Sequence, residues 1–395
     1  MAEEFRAASP QPLRHHTRRL SNVAIQLVTL GVILGLAGGA VYEAAQNLAR
    51  EHLASGFGFW NNTAGFDISQ TLIAYSPSTS TFGRAFWVGF LNTLLVAAIG
   101  IVLATVLGFA VGIARLSHNW LVAKLAAGYV ELTRNVPLLL QLLFWYNAVL
   151  KSLPDLHESV TLPGGTILNN RGLFLARPEF APRFSIVLVI LALGIAATVA
   201  LKSYANRRHD RTGDETPVLW PALGLIVVLP LGAFALAGFP LSFSLPHLGR
   251  FNVSGGVEIL PEFAALVLAL SLYTAGFIAE VVRAGMLSVS HGQVEAAQAL
   301  GLRSGLTLRL IVLPQAMRVI IPPLTSQYLN LIKNSSLAVA IGYPDLVQVF
   351  AGTVLTTAGH AVEVIAVTMA VYLFISLSVS LSMNLYGRTT VIAER

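Results

Sequence analysis

Charged side chains set inside apolar runs are the residues of this chain that most suggest chemistry. Glu131 and Arg134 stand three apart in one such run, and Glu280 and Arg283 repeat that spacing in another. Residues three apart share a helix face, so each pair can neutralise itself. Lys333 lies in a third run beside Asn334, Ser335 and Ser336, with Asn330 one turn earlier. A charge at the centre of a bilayer costs about 2.5 kcal/mol or more, so such groups pair or serve a path. Glu131, Arg134, Asn330, Lys333, Asn334 and Ser335 are therefore the candidate lining of a translocation path. Pairing of Lys333 with a carboxylate on a neighbouring helix is the alternative, and Glu363 reads as interfacial. Covalent chemistry has little to work with. There is no cysteine, which excludes disulfides, thiolate metal sites and cysteine nucleophiles. His15, His16, His209 and His291 lack metal-ligand spacing, and no H-E-x-x-H occurs. None of the lysines, at 124, 151, 202 and 333, sits in a phosphate-binding loop. The chain is expected to be no ATPase and to hold no cofactor or metal of its own.

The elements that must position these groups are membrane spans. Hydrophobic residues make up 55% of the 395 and charged residues 11%, against about 25% charge in a soluble domain. A span needs roughly 20 mostly apolar residues. Eight runs qualify, at about 22–43, 85–113, 125–150, 184–201, 218–238, 261–283, 325–350 and 360–386. Arg14, Arg18 and Arg19 precede the first run, which lacks a small-residue cleavage site and reads as a retained span. Most of the 25 Lys and Arg fall in alternate connecting segments. That bias puts both termini on the cytoplasmic side and reads the +6 net charge as topology rather than nucleic-acid binding. The outer segments, about 44–84, 151–183 and 239–260, are rich in turn formers such as Pro163-Gly164-Gly165 and Ser254-Gly255-Gly256.

The inner segment 284–324 is too amphiphilic to span and too patterned for a plain loop. Ser290 and Gln293 have capping-box spacing, which predicts a helix start. Glu295 then falls near the positive end of the helix dipole. Ala296 and Ala297 are small, strong helix formers that let another surface approach. Gly301 suits a left-handed cap. Leu306, Leu310 and Leu313 recur at helical spacing, and Pro314 and Pro322-Pro323 are expected to end or kink the second helix. The expected product is a helix–turn–helix elbow.

This elbow resembles the coupling signature of bacterial ATP-binding-cassette importer permeases, E-A-A-x3-G-x9-I-x-L-P. Glu295, Ala296, Ala297, Gly301, Ile311, Leu313 and Pro314 match it at every fixed position. Three further stretches are similar to the polar and general L-amino acid (histidine/glutamate-type) permeases: Glu131–Gln141 to E-x-x-R-x-x-P-L-L-x-Q, Ala279–Gly285 to A-E-x-x-R-x-G, and Leu331–Leu337 to L-I-K-[DN]-[ST]-S-L. The resemblance covers about 85–150 and 258–387. The extra spans resemble the larger of two permeases in broad-specificity importers.

The resemblance implies an all-α integral membrane protein with the type I importer permease fold and about eight transmembrane helices. It implies four parts: 1–84 with the tail, first span and an outer segment; 85–150, the first part of the core; 151–257, an insert with an extra pair of spans; and 258–395, the second part of the core with the coupling loop. It further implies import of L-amino acids by alternating access across a bacterial inner membrane. The partners would be a second permease in a heterodimer, two ATPase subunits binding ATP and Mg, and a periplasmic binding protein. An ion-driven secondary transporter is the competing class, but its inverted repeats are not visible. An intramembrane enzyme would need a convergent acid, base or nucleophile set, and none stands out.

Overall fold

The computed structural model describes residues 25–36, 38–39, 42–43, 46, 56–213 and 217–390. Arg6, Arg14, Arg18, Arg19, Arg50, Arg395, His15 and His16 lie outside the described residues, and the first span is described only in part, as α1 (Ile25–Leu36).

The core is built on two long helices, α2 (Phe82–Ala114) and, after the insert, α7 (Pro261–Leu287). Thr81 starts α2 by accepting a bond from the Arg84 N–H, which satisfies one orphan donor of the first turn. At 33 residues α2 is about 50 Å long, enough to cross a bilayer with turns to spare. Gly112 of α2 fits against α7 because it has no side chain: a Cβ there would lie 2.8 Å from the Ala279 carbonyl oxygen.

Between them the third span is broken. α3 (Trp120–Asn135) ends ahead of Pro137, and α4 (Leu138–Leu150) resumes the crossing. Asn119 caps α3 with its side chain. Gln141 reaches back across the break and donates to the Thr133 and Val136 carbonyls at 2.9 and 3.0 Å. Inside a membrane such carbonyls must find donors within the protein.

The insert follows. It holds β1 (Val160–Leu162), β2 (Thr166–Asn169), β3 (Gly172–Leu175) and β4 (Arg177–Phe180). Two spans come next, α5 (Phe184–Thr212) and α6 (Leu219–Leu236). β5 (Leu241–Ser244), β6 (His247–Leu248), β7 (Val253–Ser254) and β8 (Val257–Ile259) complete it. All pairings are antiparallel: β1-β2-β3-β8 form one sheet, and β4-β5 and β6-β7 form two ribbons. These strands add a small β layer to an otherwise helical protein. Each is four residues or fewer, too short to show an alternating pattern in the sequence.

After α7 come α8 (His291–Ala299), α9 (Ser304–Ile341), α10 (Val347–Ala358) and α11 (Ala361–Thr390). Here the expected boundaries shift. Pro322 and Pro323 do not end the elbow but lie inside α9. Ile320, Ile321 and Leu324 bury around them, so packing carries the helix through the missing donors. The seventh span therefore begins earlier than 325 and stops at Ile341. The remainder of 325–350 belongs to the turn and to α10.

α7 is the axis of the molecule. The share of its apolar stretch buried inside the chain is 67%, against 11% for α5 and 6% for α6. Leu266, Leu270 and Ile278 of α7 pack with Val96 and Ala104 of α2, Leu142 of α4, and Ile320 and Leu331 of α9. The two ends of the bundle differ. The elbow end carries residues 288–303, and the sheet end carries the strands. At the sheet end, Phe59 and Trp60 close over Phe82, Phe86 and Phe350. Asn92 donates to the Gln70 and Pro344 carbonyls, and the Leu346 N–H donates to Thr93.

Candidate functional site

The elbow is a short helix between two longer ones. α7 ends at Leu287, and three residues later α8 begins with Ser290 as its N-cap. The capping box does not form. The Ser290 side chain makes no cap bond, and its carbonyl takes the Gln293 N–H instead. Glu295 contacts His291 Nδ1 at 3.0 Å, one turn earlier and in solvent.

The C-terminal stop is as the residue types require. Gly301 has φ +74°, a left-handed conformation cheap only for glycine. The Gly301 N–H donates to the Gln298 carbonyl and the Leu302 N–H to the Ala297 carbonyl. That bond pair is a Schellman motif, and it reverses the chain within two residues. Ala297 is fully buried under the turn while Ala296 faces out.

The second helix of the elbow is continuous with a span. α9 opens with a turn, passes through a wide π turn at Leu308–Val312, and runs on through Leu313 and Pro314. Thr307 and Val312 are buried, Ile311 is half-buried, and Leu306, Leu310 and Leu313 are exposed. Leu300 is 80% exposed. Sequence reasoning passed over Leu300, although an apolar residue just ahead of a capping glycine on a polar helix is a visible signal.

The charged groups arrange differently from the sequence expectation. Glu131 does not pair with Arg134. It accepts from the Asn135 side chain at 3.2 Å, its neighbour four residues on. Arg134 turns toward α7, with its guanidinium 5.3 Å from the Phe277 ring centre and 4.0 Å from Glu280. Glu280 does pair with Arg283, at 2.5 Å. It also pairs with Arg115 at the end of α2, a partner 165 positions away that no local pattern could announce.

Along α9, Ser326, Asn330 and Lys333 follow at helical spacing and are all exposed. Among the described residues no ion pair involves Lys333. Asn334 is half-buried beside them. Ser335 leaves the group, being fully buried and donating to the Ile332 carbonyl. Glu131 and Arg134 lie on a different helix, so this chain gathers a polar stripe on α9 rather than one cluster. Among the described residues no group of His, Asp and Glu could hold a metal ion.

One buried acid also escaped the sequence reading. Asp345 lies between α9 and α10, outside the spans, and is fully buried. It accepts from the Gln348 N–H at 2.8 Å and from the Tyr372 hydroxyl at 3.3 Å. Burial pushes its carboxyl up to about 7, against hydrogen bonds that lower it.

Residues 215–390 match the family described as the binding-protein-dependent transport system inner membrane component. Three relatives match nearly end to end. The general L-amino acid transport system permease protein AapQ of Rhizobium johnstonii is 48% identical, over 99% of this chain and 96% of its own. The putative amino-acid ABC transporter permease protein YhdX of Escherichia coli is 49% identical, over 94% of each chain. The glutamate/glutamine/aspartate/asparagine transport system permease protein BztB of Rhodobacter capsulatus is 40% identical, over 95% of each. Matched at 40% identity or better over nearly its whole length, this chain belongs to the family of ABC amino acid transporter permeases.

Proposed function

We propose that this chain is one of two unlike permeases in an importer that carries L-amino acids inward by alternating access. Its elbow docks on an ATPase subunit, and a binding protein delivers substrate at the sheet end. Relatives of nearly full length are named as permeases of general L-amino acids or of acidic amino acids and their amides, which supports the substrate class. ATP and Mg sit on the two ATPase subunits. The Lys and Arg bias supports an elbow end, and both termini, in the cytoplasm.

The observation that carries the coupling assignment is the form of the elbow. A helix of nine residues stands clear of the bundle, fixed at one end to α7 and locked at the other by Gly301. Glu295, Ala296 and Leu300 face outward from it, while Ala297 secures it from beneath. Ile311, Leu313 and Pro314 join it to α9, so a push on α8 reaches two spans at once. This is a rigid-body route from nucleotide state to span tilt. The α9 stripe of Asn330, Lys333 and Asn334 lines the path between the two permeases.

The test is reconstitution with the ATPase, the partner permease and the binding protein. Glu295→Lys should leave binding-protein docking intact and abolish the stimulation of ATP hydrolysis by loaded binding protein. Full stimulation in that variant would remove the elbow from the coupling role.

A further inference from the structure

Glu280 stands where three helices meet, two turns before the end of α7. Arg115 is the residue that closes α2, and Arg134 lies in the last turn of α3. Helix C-termini favour cations, so both arginines are held at the ends of their own helices. Both point at one carboxylate on α7. Arg283 of α7 grips the other oxygen through two nitrogens, at 3.2 and 2.5 Å. The backbones are close at the same level. Gly112 of α2 faces the Ala279 carbonyl, and Gly276 of α7 faces Thr133 of α3. One carboxylate thus faces three guanidinium groups, those of Arg115 and Arg283 partly buried and that of Arg134 more exposed at 4.0 Å. Without it, three like charges would be left on three helices where their backbones pack closely.

We infer that Glu280 is a positioning residue that binds α2 and α3 to the α7–α8 lever, so that displacement of the elbow moves three helices as one body. The inference rests on the coupling role proposed for the elbow. The distances favour it. From Glu280 to Leu287 is seven residues, about 10 Å of unbroken helix, and only residues 288–290 separate that helix from α8. A clamp so near the lever arm decides how much of the push is lost in bending. An ion cluster that served stability alone would have no reason to bear on coupling.

The assembled transporter reads this directly. Glu280→Gln should retain assembly and basal ATP hydrolysis but lose at least tenfold in stimulation by loaded binding protein. Glu280→Asp, which keeps the charge, should recover a large part of it. The chain has no native cysteine, so the double variant Arg115→Cys/Glu280→Cys offers a second reading. Bridging its thiols with a short bismaleimide should restore stimulation that the unbridged form lacks. Wild-type stimulation in Glu280→Gln overturns the inference. So does loss of assembly in Glu280→Gln without rescue by Asp or by the bridge, since the cluster would then only support folding. If the wild-type complex itself shows no stimulation by binding protein, the coupling role of the elbow fails, not the clamp alone.

Discussion

Lys151 and Glu262 meet at 3.6 Å across the base of the insert. Tyr146, 116 positions from Glu262, donates to the same carboxylate at 2.7 Å, and the Lys151 ammonium lies 5.2 Å from the Tyr146 ring centre. The end of α4 and the start of α7 are therefore fastened to each other directly. The insert between them, with its β layer and the α5–α6 hairpin, leaves and rejoins the core at one point. α5 and α6 are the least enclosed of the spans.

This arrangement predicts that the insert is separable. A chain in which residues 153–260 are replaced by a short Gly/Ser linker should still enter the membrane and bind the ATPase. Size-exclusion chromatography in detergent and co-purification of the ATPase check this. Aggregation of the shortened chain would show that the core depends on the insert for its stability.

The spans and the elbow were legible because they depend on local sequence. Apolar runs of about 20 residues and the E-A-A to L-P spacing are contained in single stretches of chain. The misplaced seventh span has a physical cause: Pro322-Pro323 reads as a break locally, yet Ile320, Ile321 and Leu324 are buried by distant helices. Glu131 and Arg134 were matched by spacing alone, while Arg134 in fact answers to Phe277 and Glu280. Arg115 and Asp345 owe their roles to contacts across the fold, which no window of sequence contains. The strands of the insert pair across up to 86 positions, as Leu173 does with Ile259, and are too short to leave a periodic trace.

Gly301 yields a graded prediction. Its φ is +74°, and a Cβ there would touch nothing within 4 Å. The cost of substitution is thus conformational, not steric crowding, and amounts to about 1–2 kcal/mol for an ordinary residue. Asn, which tolerates this region, should preserve stimulated ATP hydrolysis. Val should lose most of it while the chain still expresses and inserts. Equal activity of the Asn and Val variants would mean that the cap geometry has no part in coupling.

Asp345 makes stability depend on pH. Its carboxyl is held at about 7 in the folded chain, above the ordinary 3.8. The folded state therefore binds the proton more tightly than the unfolded state does. The resulting stability is fully present below about pH 4 and is lost as pH rises through about 7. The groups facing Asp345 are Tyr372, whose hydroxyl donates to it, and Tyr343 on its own turn. Thermal unfolding in detergent should give a higher Tm at about pH 6 than at about pH 8. Asp345→Asn keeps an acceptor for the Gln348 N–H and should flatten that difference. A slope unchanged by the substitution would assign the pH dependence to other groups.

Lys333 carries the prediction that bears most on the path. It is an exposed cation on a membrane helix, with Ser326 and Asn330 on the same face and no ion pair among the described residues. A cation left toward lipid would be costly, so the face must meet water, substrate or the second permease. If it serves the path, removing the charge spares the fold, because the side chain packs against nothing that needs it. Lys333→Met keeps most of the length and should express and assemble normally. Uptake should fall at least tenfold, and ATP hydrolysis should remain responsive to binding protein, since the elbow and the Glu280 cluster are untouched. Lys333→Arg, which keeps the charge, should retain a larger share of uptake. Uptake in proteoliposomes, normalised to the amount of assembled complex, separates the two cases. Wild-type uptake by Lys333→Met would assign this lysine to the boundary with lipid or with the partner chain, and the path would then have to be sought on another face of α9.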